Sequence, residues 1–431
     1  MSTDKTSKAP QDTQVAENPE AAAAAVTAVD PRLLVREQGL AGYVGEFKRK
    51  MRAGDLGSLP VIVGLIAICV IFQSLNSAFL SAENISNITI TMVGTGMISV
   101  GIVFVLLLGE IDLSVGSVSG AASALTAVFA VNQGWPEWVA VLTAVAAGAA
   151  IGAVHGFFFA VLGAPAFAVT LAGLLFWLGF MLQVLGENGT INLKSDGLIG
   201  QLTTYFFADV AAAYGLAALV VAVFFATSYL GNRRREAAGI PTRPLSETVL
   251  RTALLAVVSF AAAYMYNQYK GLPLATVIFL AFLVLTDFLL RRTTYGRKVF
   301  ALGGSVEASR RAGINVTAIR ISCFAISGLF AAIGGLFLAS KIASANQSAG
   351  TGDLLMNAIA AAVIGGTSLF GGRGRTWNAL LGVMVIVSIQ YGLQLESIAE
   401  PVKYMITAGV LLTTVVIDSI TRKTQKTAGR A

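Results

Sequence analysis

Long apolar stretches follow one another along most of this chain, and they constrain its fold more than any other feature. Twelve lie between residues 59 and 420, most of them close to 20 residues long. An α-helix rises about 1.5 Å per residue, so about 20 residues cross the roughly 30 Å hydrocarbon core of a bilayer. Only 12% of the 431 residues are charged, about half of the share in a soluble domain. The pattern predicts an all-α, polytopic membrane bundle of about 10–12 transmembrane helices.

The distribution of basic residues predicts how the spans are oriented. If the amino terminus is cytoplasmic, 26 of the 30 Lys and Arg residues fall on the cytoplasmic side and four on the other. The positive-inside rule therefore places both termini in the cytoplasm. The tenth span is short and glycine-rich, which favours a re-entrant or broken helix over a full crossing. The expected spans are 59–78, 88–108, 114–132, 138–162, 166–186, 209–230, 249–267, 272–290, 318–340, 355–371, 377–395 and 402–420.

The ends of the chain differ in composition from its apolar body. Residues 1–29 are polar and Ala-rich and lack the apolar run of a signal peptide, so we expect a disordered cytoplasmic tail. Residues 30–54 combine basic and apolar residues at helical spacing, which predicts an amphipathic helix on the anionic cytoplasmic lipid surface. The transmembrane domain is expected at 55–421, with a second cytoplasmic tail at 422–431. This arrangement accounts for the net charge of +7 without nucleic-acid binding.

A basic segment at about 291–317 contains the pattern of a short helix. Ser305 suits its cap, Glu307 its positive first turn, and Gly313 a left-handed end. A short rigid helix with charges on one face can dock into a groove of a soluble partner. A solvated basic loop that only obeys the topology rule is the alternative. The residues of this predicted docking helix are Glu307, Ala308, Arg310, Arg311 and Gly313.

Three titratable residues lie in or beside apolar spans. A carboxylate at the bilayer centre costs about 2.5–3.5 kcal/mol on insertion scales, so we expect Glu110 and Asp112 at the membrane boundary, with Asp112 capping a helix that begins near Leu113. A proton-coupling pair is the alternative, but no intramembrane Lys or Arg stands ready to respond. For His155, the only histidine, we favour a neutral hydrogen-bonding role over a titrating switch.

Three ordered motifs over about residues 55–420 resemble one family of transport proteins. Glu307-Ala308 with Gly313 resembles the coupling loop of bacterial ATP-binding-cassette importer permeases. Two further stretches resemble the branch of that family that serves ribose, galactose, arabinose and xylose. They read Glu110-Ile-Asp112-Leu-Ser114-Val-Gly116 and Ile364-Gly365-Gly366-Thr367-Ser368-Leu-Phe-Gly-Gly372.

Within that branch the xylose permeases are most similar. They share an extra apolar span, here 249–267, preceded by an Arg-rich cytoplasmic loop, here Arg233-Arg234-Arg235. The family commonly has Asn at the position of His155, and this departure counts against proton coupling there.

The resemblance implies that the chain is the permease subunit of an ATP-driven sugar importer in the bacterial cytoplasmic membrane. The substrate would be a monosaccharide, with xylose or a related pentose the first choice. The expected partners are ATPase subunits that bind the ATP, an extracytoplasmic sugar-binding protein, and a second, identical permease chain. No cofactor is expected in this chain itself. Pathway candidates with side chains that suit sugar hydroxyls are Asn357, Thr367, Ser368 and Gln390, although such residues often only join helices.

Two other classes of protein remain as alternatives. An ion-coupled secondary sugar transporter predicts charged residues near mid-membrane and a visible repeat between halves, and the sequence displays neither. A membrane-embedded enzyme is more distant, because no phosphate-binding loop, His-Glu-x-x-His or Gly-x-Ser-x-Gly motif is present.

Overall fold

The computed structural model of the protein describes residues 58–427, apart from 241 and 243. The tail expected at 1–29 and the surface helix expected at 30–54 lie outside the described residues. So do residues 428–431 of the expected carboxyl tail, whereas residues 422–427 continue the last helix.

The described residues form α-helices joined by short connections, with four strands of two or three residues. The elements of the first half are α1 (Leu59–Leu75), α2 (Ala82–Leu107), α3 (Val115–Ala127) with a π-helical turn (Val128–Asn132), α4 (Glu137–Ala160), α5 (Ala166–Leu185), β1 (Thr190–Asn192), α6 (Leu198–Thr204), β2 (Phe206–Phe207) and α7 (Val210–Ala237). Those of the second half are α8 (Leu245–Asn267), β3 (Leu272–Pro273), α9 (Leu274–Arg292), α10 (Thr294–Gly304), α11 (Val306–Arg311), α12 (Val316–Ile342), β4 (Ser344–Asn346), α13 (Leu354–Ile364), α14 (Thr376–Leu395) and α15 (Glu400–Thr427).

Each of the twelve expected spans overlaps one of these helices. Among the described residues, nine helices are long and apolar enough to cross a membrane, and α1 and α13 are apolar but shorter. The prediction of a polytopic helical membrane bundle is therefore confirmed. α13 ends at Ile364, seven residues before the expected end of the tenth span, because the chain turns at Gly366 with a φ of +104°. That backbone conformation suits glycine and ends the helix.

The core of the bundle is built on α12, which packs against α2 and α4. The backbones of α4 and α12 approach closely because glycines face each other: a Cβ at Gly148 would lie 2.6 Å from the carbonyl oxygen of Gly328. Small residues at such crossings allow the close packing that holds membrane helices together.

The two ends of α12 define two faces of the bundle. α10 and α11 precede its first residue, and we call this side the loop face. On the opposite face, β4 follows α12 and pairs antiparallel with β1, while β2 pairs antiparallel with β3. α2 runs antiparallel to α12. Thr91, in the first half of α2, contacts Lys341 near the end of α12.

Residues 222–254, apart from 241 and 243, form the described part of a compact unit of their own. Arg233, Arg234 and Arg235 belong to the last turns of α7 and not to a loop, which corrects the sequence interpretation. Arginine favours helices, and its charge is favourable at a helix carboxyl end. Within the unit, Asn232 Nδ2 donates to Thr248 Oγ1 over 3.1 Å, and Arg251 pairs with Glu247 at 2.6 Å.

Candidate functional site

The segment between α2 and α3 carries Asp112 into the interior of the bundle. Asp112 is buried, with 2% exposure, and its Oδ2 accepts a 2.9 Å hydrogen bond from Ser327 Oγ. Ser327 stands eleven residues after the first residue of α12, which corresponds to about 17 Å along the helix from the loop face. α3 begins at Val115, later than expected. The boundary position expected for Asp112 is therefore corrected, because protein donors replace water around this carboxylate.

Asp112 is the end of a chain of hydrogen bonds that joins three helices. Its Oδ1 accepts from Ser114 N at 3.0 Å and from Ser114 Oγ at 2.6 Å. Ser114 Oγ lies 3.1 Å from His155 Nδ1 on α4. Trp177 Nε1 on α5 donates to His155 Nε2 over 3.1 Å. One side chain from each of α4, α5 and α12 is thus linked to the same carboxylate.

The donors along this chain fix the form of the histidine. An indole nitrogen only donates, so His155 Nε2 accepts and carries no proton. The imidazole is then neutral with its proton on Nδ1, which donates to Ser114 Oγ, and the Ser114 hydroxyl donates to Asp112. The structure supports the neutral hydrogen-bonding role predicted for His155. Such a satisfied network holds its helices in one arrangement.

Glu110 lies between α2 and α3, nearer to the loop face, and is half-buried. Burial raises the pKa of the Glu110 carboxyl above its ordinary value, and the guanidinium of Arg320 opposes part of that rise. Arg320 lies on the second turn of α12, with its guanidinium carbon 4.4 Å from the centroid of the Phe159 ring. The sequence analysis did not identify Arg320 as a charge that acts on Glu110.

A second interrupted crossing meets the first one. After β4 the chain passes along the start of α3, where a Cβ at Gly116 would lie 2.6 Å from the carbonyl oxygen of Gly350. α13 then begins at Leu354, inside the bundle, and ends at Ile364. The tenth crossing therefore consists of turns at residues 347–353 followed by a short helix, which agrees with a broken helix. Interrupted crossings of this kind line substrate sites in membrane transporters.

The four pathway candidates do not form one cluster. Asn357 is buried and its Nδ2 donates to Asp353 Oδ2 over 2.6 Å, while Thr367 Oγ1 accepts from Asn378 Nδ2 over 3.5 Å. Ser368 lies beside Thr367 in the turn after α13, and its Oγ accepts from Phe370 N over 3.2 Å. Gln390 follows Asn378 by twelve residues, which puts it about 18 Å farther along α14. Their role in the pathway remains a prediction.

Two glycines of the 364–372 motif shape the end of α13. Gly365 packs on the backbone of Asn378 at the start of α14, where a Cβ would overlap the Asn378 carbonyl oxygen. Gly366 supplies the turn described above. Both close the end of α13 against α14.

The loop face presents the predicted docking helix. Ser305 Oγ accepts from Ala308 N over 3.2 Å and caps α11, and Gly313 has a φ of +77°, as the sequence pattern predicts. Glu307 pairs with Arg311 at 3.1 Å and with Arg310 at 3.8 Å. All three of these side chains are exposed, at 61%, 79% and 66% respectively. Exposed pairs add little stability, so this charged surface is open to a partner.

Three glycine-containing backbones meet where α10 ends. Gly372 N donates to Leu107 O at the end of α2 over 2.9 Å. A Cβ at Gly303 would overlap Leu107 O and lie 2.6 Å from Gly372 N, whereas a Cβ at Gly371 would lie 2.9 Å from Gly303 O. The helix before α11 is therefore in direct backbone contact with the segment that ends the broken crossing. Nothing local in the sequence predicts this contact.

Comparison with known proteins adds a family and several relatives. Residues 84–415 match the family described as branched-chain amino acid transport system / permease component. The chain is 34% identical to the xylose transport system permease protein of Escherichia coli over 374 residues, which is 86% of this chain and 94% of that protein. It is 34% identical to the Haemophilus influenzae protein of the same name over 370 residues, covering 85% and 98% of the two chains. It is 30% identical to the ribose import permease protein of E. coli over 361 residues, covering 83% and 92%. No solved structure matches the chain.

Proposed function

The chain belongs to the family described as branched-chain amino acid transport system / permease component, and from that membership we propose that it forms the membrane pathway of an ATP-driven monosaccharide importer. It is a multi-pass membrane permease subunit and not an enzyme. The first substrate to test is xylose, followed by other pentoses.

One observation carries the proposal of a pentose. The two relatives named as xylose permeases match this chain over more than four fifths of its length and over more than nine tenths of their own. The match includes the interrupted crossings around Asp112 and Asn357. The ribose permease matches at lower identity, which favours xylose over ribose.

Uptake measurements test the substrate. In a strain without other xylose importers, deletion of this gene should abolish uptake of labelled xylose and growth on it, and the gene supplied in trans should restore both. Ribose, arabinose, galactose and glucose are measured in parallel. Normal xylose uptake after deletion, with loss for another of these sugars, would overturn the pentose and leave the importer standing.

The loop face is the proposed docking site for the ATPase subunits, which bind the ATP. α11 is exposed, capped at both ends and carries Glu307, Arg310 and Arg311 on its surface. A short helix of this kind is held rigidly enough to transmit a movement of its partner. Ala308 and Gly313 complete the motif, since Ala308 N donates to the capping oxygen of Ser305 and Gly313 ends the turn.

Charge reversal on α11 tests this docking. Glu307→Arg removes both ion pairs and leaves three adjacent positive charges, and Gly313→Pro imposes a φ near −65° where the chain has +77°. Each variant should insert into the membrane but retain less ATPase subunit on purification and lose uptake. Glu236→Arg makes the same charge change at an exposed glutamate of α7. Undiminished ATPase binding and uptake in both α11 variants would remove the assignment.

The remaining partners follow from the same proposal. With the loop face in the cytoplasm, both termini are cytoplasmic, and the opposite face receives the sugar-binding protein. A second copy of this chain completes the pathway, and lipid surrounds the bundle. The chain itself needs no cofactor.

A further inference from the structure

A cavity of about 280 Å³ opens on the face opposite to the loop face. Its walls come from the beginning of α2, the end of α6, β2, the turn before β3 and the ends of α12 and α14. Pockets for drug-sized molecules begin at about 300 Å³, so a cavity of this size suits a smaller ligand. The side chains that matter below are Thr91, Thr204, Tyr269, Lys270, Lys341 and Tyr391.

One wall is a hydrogen-bonded triad from three helices. Lys341 Nζ donates to Thr91 Oγ1 over 2.6 Å, and Thr91 Oγ1 lies 2.7 Å from Tyr391 OH. The Lys341 ammonium also lies 5.8 Å from the centroid of the Tyr391 ring. These residues are separated by 250 and 300 positions in the chain. Only the fold brings them together.

The hydrogen bonds within the triad leave some donors and acceptors for a ligand. Thr91 Oγ1 donates its single proton to Asn87 O over 2.7 Å, so it accepts from Lys341 and from Tyr391. Tyr391 then has a lone pair to offer, and Lys341 has two further N–H donors. Donors and acceptors therefore lie side by side at one end of the cavity.

The other wall is aromatic. Phe206 and Tyr269 meet edge to face with their centroids 6.4 Å apart, and Lys270 Nζ lies 5.6 and 5.1 Å from the two centroids. Thr204 donates its proton to Gly200 O over 2.9 Å, so its oxygen is left as an acceptor. The cavity thus combines ring surfaces with mixed donors and acceptors.

We propose that this cavity is a binding site for a monosaccharide on the delivery side of the permease, with Lys341 and Tyr391 as its hydroxyl-binding residues and Thr91 as the residue that positions both of them. A sugar presents hydroxyls that both donate and accept, together with a C–H surface that suits aromatic rings. The two ammonium groups also attract an anion, so a sugar acid is the competing ligand. This inference rests on the proposed function, whose substrate class it shares.

Binding to the full chain in nanodiscs tests the site, with D-xylose as the probe and xylonate as the anionic comparison. Saturation-transfer NMR should detect xylose on the wild type. Lys341→Met removes a donor and Tyr391→Phe removes an acceptor, and each variant should weaken xylose binding about tenfold, the effect of one lost hydrogen bond. Thr91→Ser keeps the hydroxyl and should bind as the wild type does. Lys403→Met is the matched control, since Lys403 pairs with Glu400 on α15.

The outcomes separate this site from the proposed function. Unchanged xylose binding in Lys341→Met and Tyr391→Phe overturns the site, while xylose uptake that depends on the gene keeps the importer. Xylonate bound more tightly than xylose, and lost with Lys341→Met, overturns the sugar as ligand. If no tested sugar binds here and deletion of the gene spares uptake of every tested sugar, the proposed function fails as well.

Discussion

A carboxylate moved from water into hydrocarbon loses its hydration, and only protein donors can replace it there. Asp112 accepts from Ser114 N, Ser114 Oγ and Ser327 Oγ, at distances between 2.6 and 3.0 Å. His155 then supports Ser114, and Trp177 supports His155. These hydrogen bonds tie the segment before α3 to α4, α5 and α12. We conclude that Asp112 holds the interrupted crossing in place.

Removal of the histidine should destabilise this network. His155→Ala leaves the part-buried Trp177 N–H without its acceptor, which costs about 1–3 kcal/mol, and it removes the proton donated to Ser114 Oγ, which keeps its own hydrogen bond to Asp112. We expect a lower temperature of thermal unfolding in detergent. His155→Asn, which keeps an amide, should lose less than His155→Ala. Equal stability of His155→Ala and the wild type would show that the chain of hydrogen bonds contributes nothing.

Glu110 should make stability depend on pH in a stated direction. Because burial raises its folded pKa, the protonated form is favoured in the folded state. Its contribution is present below the unfolded pKa and is lost as pH rises through the folded pKa. Glu110→Gln should therefore be more heat-stable than the wild type at neutral pH, and the difference should shrink on acidification.

Glu187→Gln, at an exposed glutamate, controls for the change of charge. A Glu110→Gln variant that is less stable than the wild type at neutral pH would contradict the prediction. The attraction of Arg320 would then outweigh the cost of burial.

At the scale of elements, two helices begin inside the bundle and face each other. α3 starts beyond Asp112, and α13 starts beyond Gly350, which packs on Gly116. The end of α13 lies against α14 and, through Gly371, against Gly303 of α10. From this contact we expect a movement of α10 to shift the segment that completes the broken crossing. Packed backbones of this kind shift between discrete arrangements instead of bending continuously.

Two neighbouring glycines of α10 provide a matched test of this contact. Gly303→Ala puts a Cβ against Leu107 O and Gly372 N, and such overpacking costs about 1–3 kcal/mol. Gly304→Ala meets nothing within 4 Å. We expect lower thermal stability and reduced uptake for Gly303→Ala and wild-type behaviour for Gly304→Ala, with ATPase binding retained in both. Equal uptake by the two variants would show that the contact is not needed for transport.

At the scale of the whole molecule, the sequence predicts what local patterns determine. Each apolar span overlaps a helix. α11 begins after its cap at Ser305 and ends before the turn at Gly313, as predicted, because these signals lie within a few residues of each other. The partner of Asp112 could not be predicted, since Ser327 lies 215 residues away. The contacts of Thr91 with Lys341 and Tyr391 were missed for the same reason. Gln390 was grouped with Thr367 by residue type alone. In the structure Thr367 contacts the start of α14, whereas Gln390 lies near its end.

The source of energy for transport is the last prediction, and it concerns the complete assembly. The interior carboxylate Asp112 is the observation that would favour an ion-coupled carrier. However, Asp112 and His155 are both engaged in hydrogen bonds that fix a neutral histidine, and family membership implies an ATPase partner. We expect uptake into liposomes that contain the permease and its partners to require ATP and to persist when an uncoupler collapses the proton gradient.

Two control liposomes make this measurement decisive. Liposomes with an imposed proton gradient and no ATP should accumulate no sugar. Liposomes with ATP and the Asp112→Asn variant should retain uptake that does not depend on the gradient, in proportion to the amount of folded protein. The asparagine amide has one accepting oxygen where the Asp112 carboxylate has two, so some loss of stability is expected from the change alone. Uptake that follows the gradient at fixed ATP, and that Asp112→Asn abolishes without lowering the amount of folded protein, would instead make Asp112 a proton carrier.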